Sequence, residues 1–116
     1  MQIIPPTRAR HSYVQRLAAP PEAVFPLLCP VREAEWVEGW DPLVVFTRSG
    51  VAEHGCAWIM PGDGTADPIW VVTRHDPEAH RVGFVKTTPG HSVALIDIAL
   101  APAPGGGTTL LVEVPG

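Results

Sequence analysis

Residues 27–41 read LLCPVREAEWVEGWD, and the fold follows from what this stretch separates. Ahead of it, Ala19-Pro20-Pro21-Glu22 opens a helical run; behind it, from Asp41-Pro42 onward, apolar and polar residues alternate for nearly the whole remaining chain. The stretch itself, broken at Pro30 and Gly39, crowds two tryptophans, three glutamates, an arginine and a cysteine. Pro30 stops the first helix, because proline offers no N–H and disfavours helical backbone in the residue before it. The spacing of residues 31–36 then predicts a second short helix with its apolar edge at Val31 and Ala34, and Gly39 caps its end or turns the chain after it.

Working outward, the first helix begins well: proline in the first turn costs no hydrogen bond, and Glu22 meets the positive end of the macrodipole. Val24, Leu27 and Leu28 follow at helical spacing, but Pro26 lies too deep to be harmless, which predicts a short or distorted helix. Before it, residues 8–17, RARHSYVQRL, carry no helical stripe and read as a first strand with His11, Tyr13 and Leu17 on one face. After Asp41-Pro42 the period is two. Six strands are predicted, at 43–48, 55–60, 68–75, 81–87, 92–100 and 108–114, separated by turn residues such as Ser49-Gly50, Pro61-Gly62-Asp63-Gly64, Asp76-Pro77, Pro89-Gly90 and Gly105-Gly106-Gly107. Consecutive strands with short links make an antiparallel meander.

A chain of 116 residues fits one domain, residues 1–116, with a core that needs neither disulfide nor metal. Hydrophobic residues make up 46% and charged ones 17%, an excess of apolar surface that calls for a pocket or an interface. The net charge of −4 and the lack of a basic cluster beyond Arg8 and Arg10 argue against nucleic acid as a partner. Cys29 and Cys56 have neither CxxC nor zinc-finger spacing and read as reduced thiols. With no signal-like apolar core at the N-terminus and no run near 18 apolar residues, no stable membrane insertion is expected, and the protein reads as soluble and cytoplasmic.

The order strand, two short helices, six strands, together with VFPLLCPVREAEWVEGWDP and the later SGVAEHGCAW, resembles the START-like superfamily, the polyketide cyclase and lipid-transport group with the helix-grip fold. The resemblance runs from about Ser12 to Val114, is strongest over residues 24–58, and points to an uncharacterised bacterial branch. It implies an α+β domain: a curved antiparallel sheet of about seven strands, with two short helices between strands 1 and 2. Members of the group close with a long C-terminal helix in the grip of the sheet, and none follows residue 114 in this sequence. The concave face, crossed by strands as apolar as residues 69–72 and 94–100, therefore needs a cover. The first candidate is a C-terminal helix of a longer natural chain; the next is a second copy, giving a homodimer.

Candidate site residues follow from chemistry. Trp36, Trp40, Trp58 and Trp70 offer large apolar rings with a polar N–H, and at least two are expected to line one ligand cavity; for Trp58 and Trp70, mid-strand, the competing reading is core. Tyr13, with His11, is the best polar group for the pocket. Glu33, Glu35, Glu38 and Asp41 could supply an acid or base if one were desolvated, although such a run is usually a solvated face, here with Arg32 to pair. His54 with Cys56, and His75 with His80 across Asp76-Pro77, fall short of a metal site, so no metal and no cofactor are expected. In residues 91–100 the alternation sends Ala94, Ile96, Ile98 and Leu100 inward and His91 and Asp97 outward. Six residues apart, those two lie ~20 Å from each other along a strand and cannot act as a dyad. No catalytic residue is assigned. The leading function is binding of a hydrophobic or amphipathic small molecule between the sheet and the helices. The alternatives are a polyketide cyclase or dehydratase-like enzyme using a cavity acid, His or Tyr, and a protein-interaction module using the open sheet face.

Overall fold

The computed structural model describes residues 1–5, 10–62 and 66–114. Seven strands form one antiparallel sheet: β1 (His11–Leu17), β2 (Val44–Phe46), β3 (Ala57–Ile59), β4 (Ile69–Asp76), β5 (Arg81–Thr88), β6 (Ser92–Pro102) and β7 (Thr108–Val114). Their spatial order is β1-β7-β6-β5-β4-β3-β2, a meander from β2 to β7 with the first strand brought back beside the last. The fold class is thus the expected α+β, a curved sheet with its helical segment between β1 and β2. Residues 8 and 9 of the expected first strand, and Asp63-Gly64 of the expected turn, lie outside the described residues. No helix of the described residues is long and apolar enough to cross a membrane.

The helical segment is slighter than its sequence suggests. Helix α1 covers only Pro21–Val24 and passes directly into a 3-10 turn at Phe25–Leu27. Pro26 is the cause: without an N–H it cannot continue the α pattern, and the tighter winding carries the chain on until Leu28 N–H closes on the Phe25 carbonyl at 3.0 Å. The second expected helix, over residues 31–36, is a 3-10 turn at Arg32–Glu35. Bracketed by Pro30 and Gly39, it is too short to repay helix nucleation.

Directly paired residues share a face, so the register assigns each side chain. Trp58, Trp70, Val72, Val82, Phe84, Ile96, Ile98, Leu100, Leu110 and Val112 lie on one face, and Val24, Phe25, Leu28 and Cys56 close over it to make the core. Asp97 is outward and exposed, as the alternation predicts, and so is His91. At the sheet's far edge Thr108, wholly buried, donates its hydroxyl to the Ala19 carbonyl at 2.6 Å and ties β7 to the chain entering α1. Gly107 just before it is required by close approach, since a Cβ there would collide with the Leu17 carbonyl oxygen.

Apolar side chains left exposed on the sheet fall mainly on the other face: Val14, Val44, Phe46, Val93 and Leu95. The expected uncovered patch is therefore divided. Along residues 69–72 the period of two sends Trp70 and Val72 to the helix-covered face, and Ile69 and Val71 to the opposite one.

Candidate ligand-binding site

The aromatic residues of the covered face form one row. Register places Trp58 opposite Trp70 and Trp70 opposite Lys86, while Val72 brings Phe84 into the adjacent row. The two indoles stack at 5.7 Å between ring centroids and 7° between planes. Phe84 stands nearly perpendicular to both, at 5.7 and 6.2 Å between centroids, the edge-to-face arrangement that aromatic quadrupoles favour. Lys86 Nζ stands 5.1 Å from the centroid of the Trp70 ring, within reach of a cation–π interaction. The described residues contain one ion pair, Arg32–Glu35, so Lys86 has no acidic partner among them. Both indole N–H groups, of Trp58 and Trp70, are buried and have no acceptor among the described residues. An unsatisfied buried donor costs roughly 1–3 kcal/mol. Neither indole, nor Phe84 or Lys86, lines one of the described cavities, so an oxygen acceptor would reach these donors only where the covered face opens.

The other two tryptophans do a different job. Trp36 is 53% exposed and donates its indole N–H to the Leu27 carbonyl at 2.9 Å; Trp40, half-buried, donates to the Pro30 carbonyl at 2.7 Å. The Leu27 carbonyl is left over where the first 3-10 turn ends and the Pro30 carbonyl lies in the link to the second, and the indoles supply donors to both. Trp40 also packs against the core. Tyr13 faces the covered side through its pairing with Val112 but remains 60% exposed at the edge, and His11, opposite Val114, is exposed too. The structure thus joins Trp58 with Trp70 and leaves Trp36, Trp40 and Tyr13 outside that row, and none of these five residues lines one of the described cavities, whereas the sequence leads one to expect two of the tryptophans to share one.

Glu33 stands apart from its acidic neighbours. It is half-buried, and burial alone pushes its carboxyl up to about 7. It lines none of the described cavities. Glu53 is shifted in the opposite direction, to about 2, held down first by the Ser49 hydroxyl, then by the Ser49 N–H at 2.6 Å and the Arg48 N–H at 3.2 Å, with Thr47 Oγ1 at 3.0 Å adding to them. It fastens the loop between β2 and β3 beside an open groove of about 800 Å³.

A smaller cavity, of about 320 Å³, lies between the helical segment, the Val51-Ala52 loop and the end of β4, with Phe25, Leu28, Cys29, Arg32 and His75 in its wall. His75 and His80, on either side of the β4–β5 turn, both approach the Phe25 ring, at 5.5 and 5.7 Å. The Ala52 N–H donates to Cys29 Sγ at 3.1 Å, and burial pushes the Cys56 thiol up. Both cysteines are buried and unbridged, and no group of three or more His, Cys, Asp or Glu side chains converges among the described residues. Sequence reasoning noticed the His75/His80 pair but not this cavity, which brings residues 25, 52 and 75 together only through the tertiary fold.

No family model and no curated protein matches the chain. Solved structures do. CalU16 from Micromonospora echinospora matches with a TM-score of 0.64 at 21% identity over 90% of this chain and 59% of its own. DynU16, from the dynemicin biosynthetic locus, matches at 0.68 and 16% over 94% of this chain and 38% of its own. The Aha1 dimer from Colwellia psychrerythraea matches at 0.65 and 14% over 92% and 75%. This is the helix-grip fold of START-like proteins. At these identities the likeness is one of architecture. Within the helix-grip frame, Trp58, Trp70, Phe84 and Lys86 occupy the sheet face that the helical segment grips, and the 320 Å³ cavity lies where that segment meets the β4–β5 end.

Proposed function

We propose that this domain binds an amphipathic small molecule on the helix-covered face of the sheet, its apolar body against the Trp58, Trp70 and Phe84 rings and an oxygen-bearing head at the indole N–H groups and Lys86. The observation that carries this reading is the pair of buried indole donors, on two stacked rings, that have no acceptor among the described residues. Natural folds rarely leave such groups without an acceptor, and a ligand oxygen would recover what their burial costs. Lys86, half-buried on a flexible stem over Trp70, would leave the ring face to meet the head of an entering ligand. The fold supports the reading only at the level of architecture, since unrelated functions share it. The test is to follow the four indole N–H resonances while titrating decanoate, decanol and 1-anilinonaphthalene-8-sulfonate. The Trp58 and Trp70 signals should move, while those of Trp36 and Trp40, bonded to Leu27 and Pro30, stay in place. Four unmoved signals across all three probes would remove the proposal.

A second reading concerns partners. The exposed Val14, Val44, Phe46, Val93 and Leu95 on the face away from the helices support self-association there, and a protein of this fold, the Colwellia Aha1, forms a dimer. Sedimentation decides it: a concentration-independent monomer ends this reading.

A further inference from the structure

We propose that the 320 Å³ cavity beneath Phe25 is a separate binding site for a small monocarboxylate with a one-ring or branched apolar body. Its volume stands at the lower end of the range for ligand sites, which limits the occupant's size. Its walls are mainly apolar, supplied by Phe25, Pro26, Leu28, Val51, Ala52 and Pro77, and the polar groups are three: Cys29, Arg32 and His75. Cys29 is already engaged, since its sulfur accepts the Ala52 N–H at 3.1 Å. Recognition of a polar head therefore falls to Arg32 and His75.

The charge of that head follows from what is present. No carboxylate lines the cavity, whereas one permanent cation and one imidazole do, so an anion is favoured over a cation or a neutral head. Arg32 pairs with Glu35 through Nε alone, at 3.0 Å, and the two terminal amino groups make no hydrogen bond among the described residues. A guanidinium fork offers such groups to a planar carboxylate with two parallel bonds. The charge of one arginine, partly offset by Glu35, matches a monoanion better than a phosphate dianion. His75, held against the Phe25 ring at 5.5 Å, presents a second donor on the same wall. None of these residues belongs to the Trp58–Trp70 row, so the site stands or falls independently of the proposal above.

The test titrates the folded chain with phenylacetate, phenylacetamide and phenyl phosphate, reading the Ala52 amide and the His75 ring by NMR. Phenylacetate should shift both and leave the Trp58 and Trp70 indole signals in place. Phenylacetamide should bind about tenfold more weakly, the loss expected for one charge-assisted hydrogen bond. Arg32→Gln, a change at a side chain 39% exposed and so compatible with folding, should weaken phenylacetate by a similar factor without affecting the weak amide. The proposal is overturned if phenylacetate leaves Ala52 and His75 unmoved or moves the two indoles instead, if the amide or the phosphate binds as well as the carboxylate, or if Arg32→Gln binds phenylacetate undiminished.

Discussion

Glu33→Gln is expected to stabilise the domain above neutral pH and to have little effect in mild acid. Burial raises the Glu33 carboxyl from 4.5 to about 7, so the folded state keeps a proton that the unfolded chain has already released across this window. Below pH 4.5 both states are protonated and there is no penalty. As pH rises from about 4.5 to 7, the unfolded state binds fewer protons than the folded one, and stability falls; above 7 the penalty is constant. A shift of this size corresponds to about 3 kcal/mol, and ~2 kcal/mol after allowing for the water that still reaches a half-buried side chain. Glutamine mimics the protonated acid in shape and hydrogen bonding, so the variant avoids the penalty at every pH. In a domain of this size ~2 kcal/mol is a rise of about 8 °C in Tm. Urea unfolding of both proteins at pH 5 and pH 8 measures it, with most of the gain expected at pH 8. A gain that is equal at the two pH values, or a variant less stable at pH 8, would show that Glu33 is solvated and that the burial argument is wrong.

Three further outcomes follow from the same structure. Glu53→Gln should flatten the acid limb of the stability curve: the carboxyl is held near 2 in the fold, so its contribution is present above about 4.5 and is lost as pH falls toward 2, which thermal melts at pH 3 and pH 6 compare. Thr108→Val, nearly isosteric, should cost about 1 kcal/mol in urea unfolding, because it removes the hydroxyl's bond to the Ala19 carbonyl. Gly107→Ala should cost more than ~1 kcal/mol, since its Cβ would meet the Leu17 carbonyl, and amide exchange should show the loss concentrated in β1.

Much of the architecture is written in local patterns. Alternation between turn residues locates β2 through β7 to within a few positions, and the inward set of Ala94, Ile96, Ile98 and Leu100 is on the face the period predicts. The helical segment is less legible, because the balance between α and 3-10 winding at Phe25-Pro26 depends on which carbonyls find donors. The four tryptophans illustrate the limit. Their identity says that each needs area and an acceptor, and only the folded chain reveals that Trp36 and Trp40 find carbonyls nearby while the register sets Trp58 against Trp70. The cavity at Phe25 leaves no local trace at all. Arg32, Ala52 and His75 become neighbours through the packing of the helical segment on the sheet, and no spacing along the chain encodes that.

The pairing of β1 with β7 has a consequence for how the chain reaches this state. Among the seven strands β1, His11 to Leu17, is synthesised before the others, yet its partner β7, Val114 back to Thr108, is synthesised after them. Between these events the hairpins from β2 to β6 can zip one after another through short loops, each closing cheaply. Strand β1 must wait with its backbone donors unmatched, tethered only by the chain running into α1, until synthesis has passed residue 108. Closure of that last seam, fastened by Thr108 on Ala19, is the slow long-range step, and the emerging β6 edge stays open to other chains until β7 takes it.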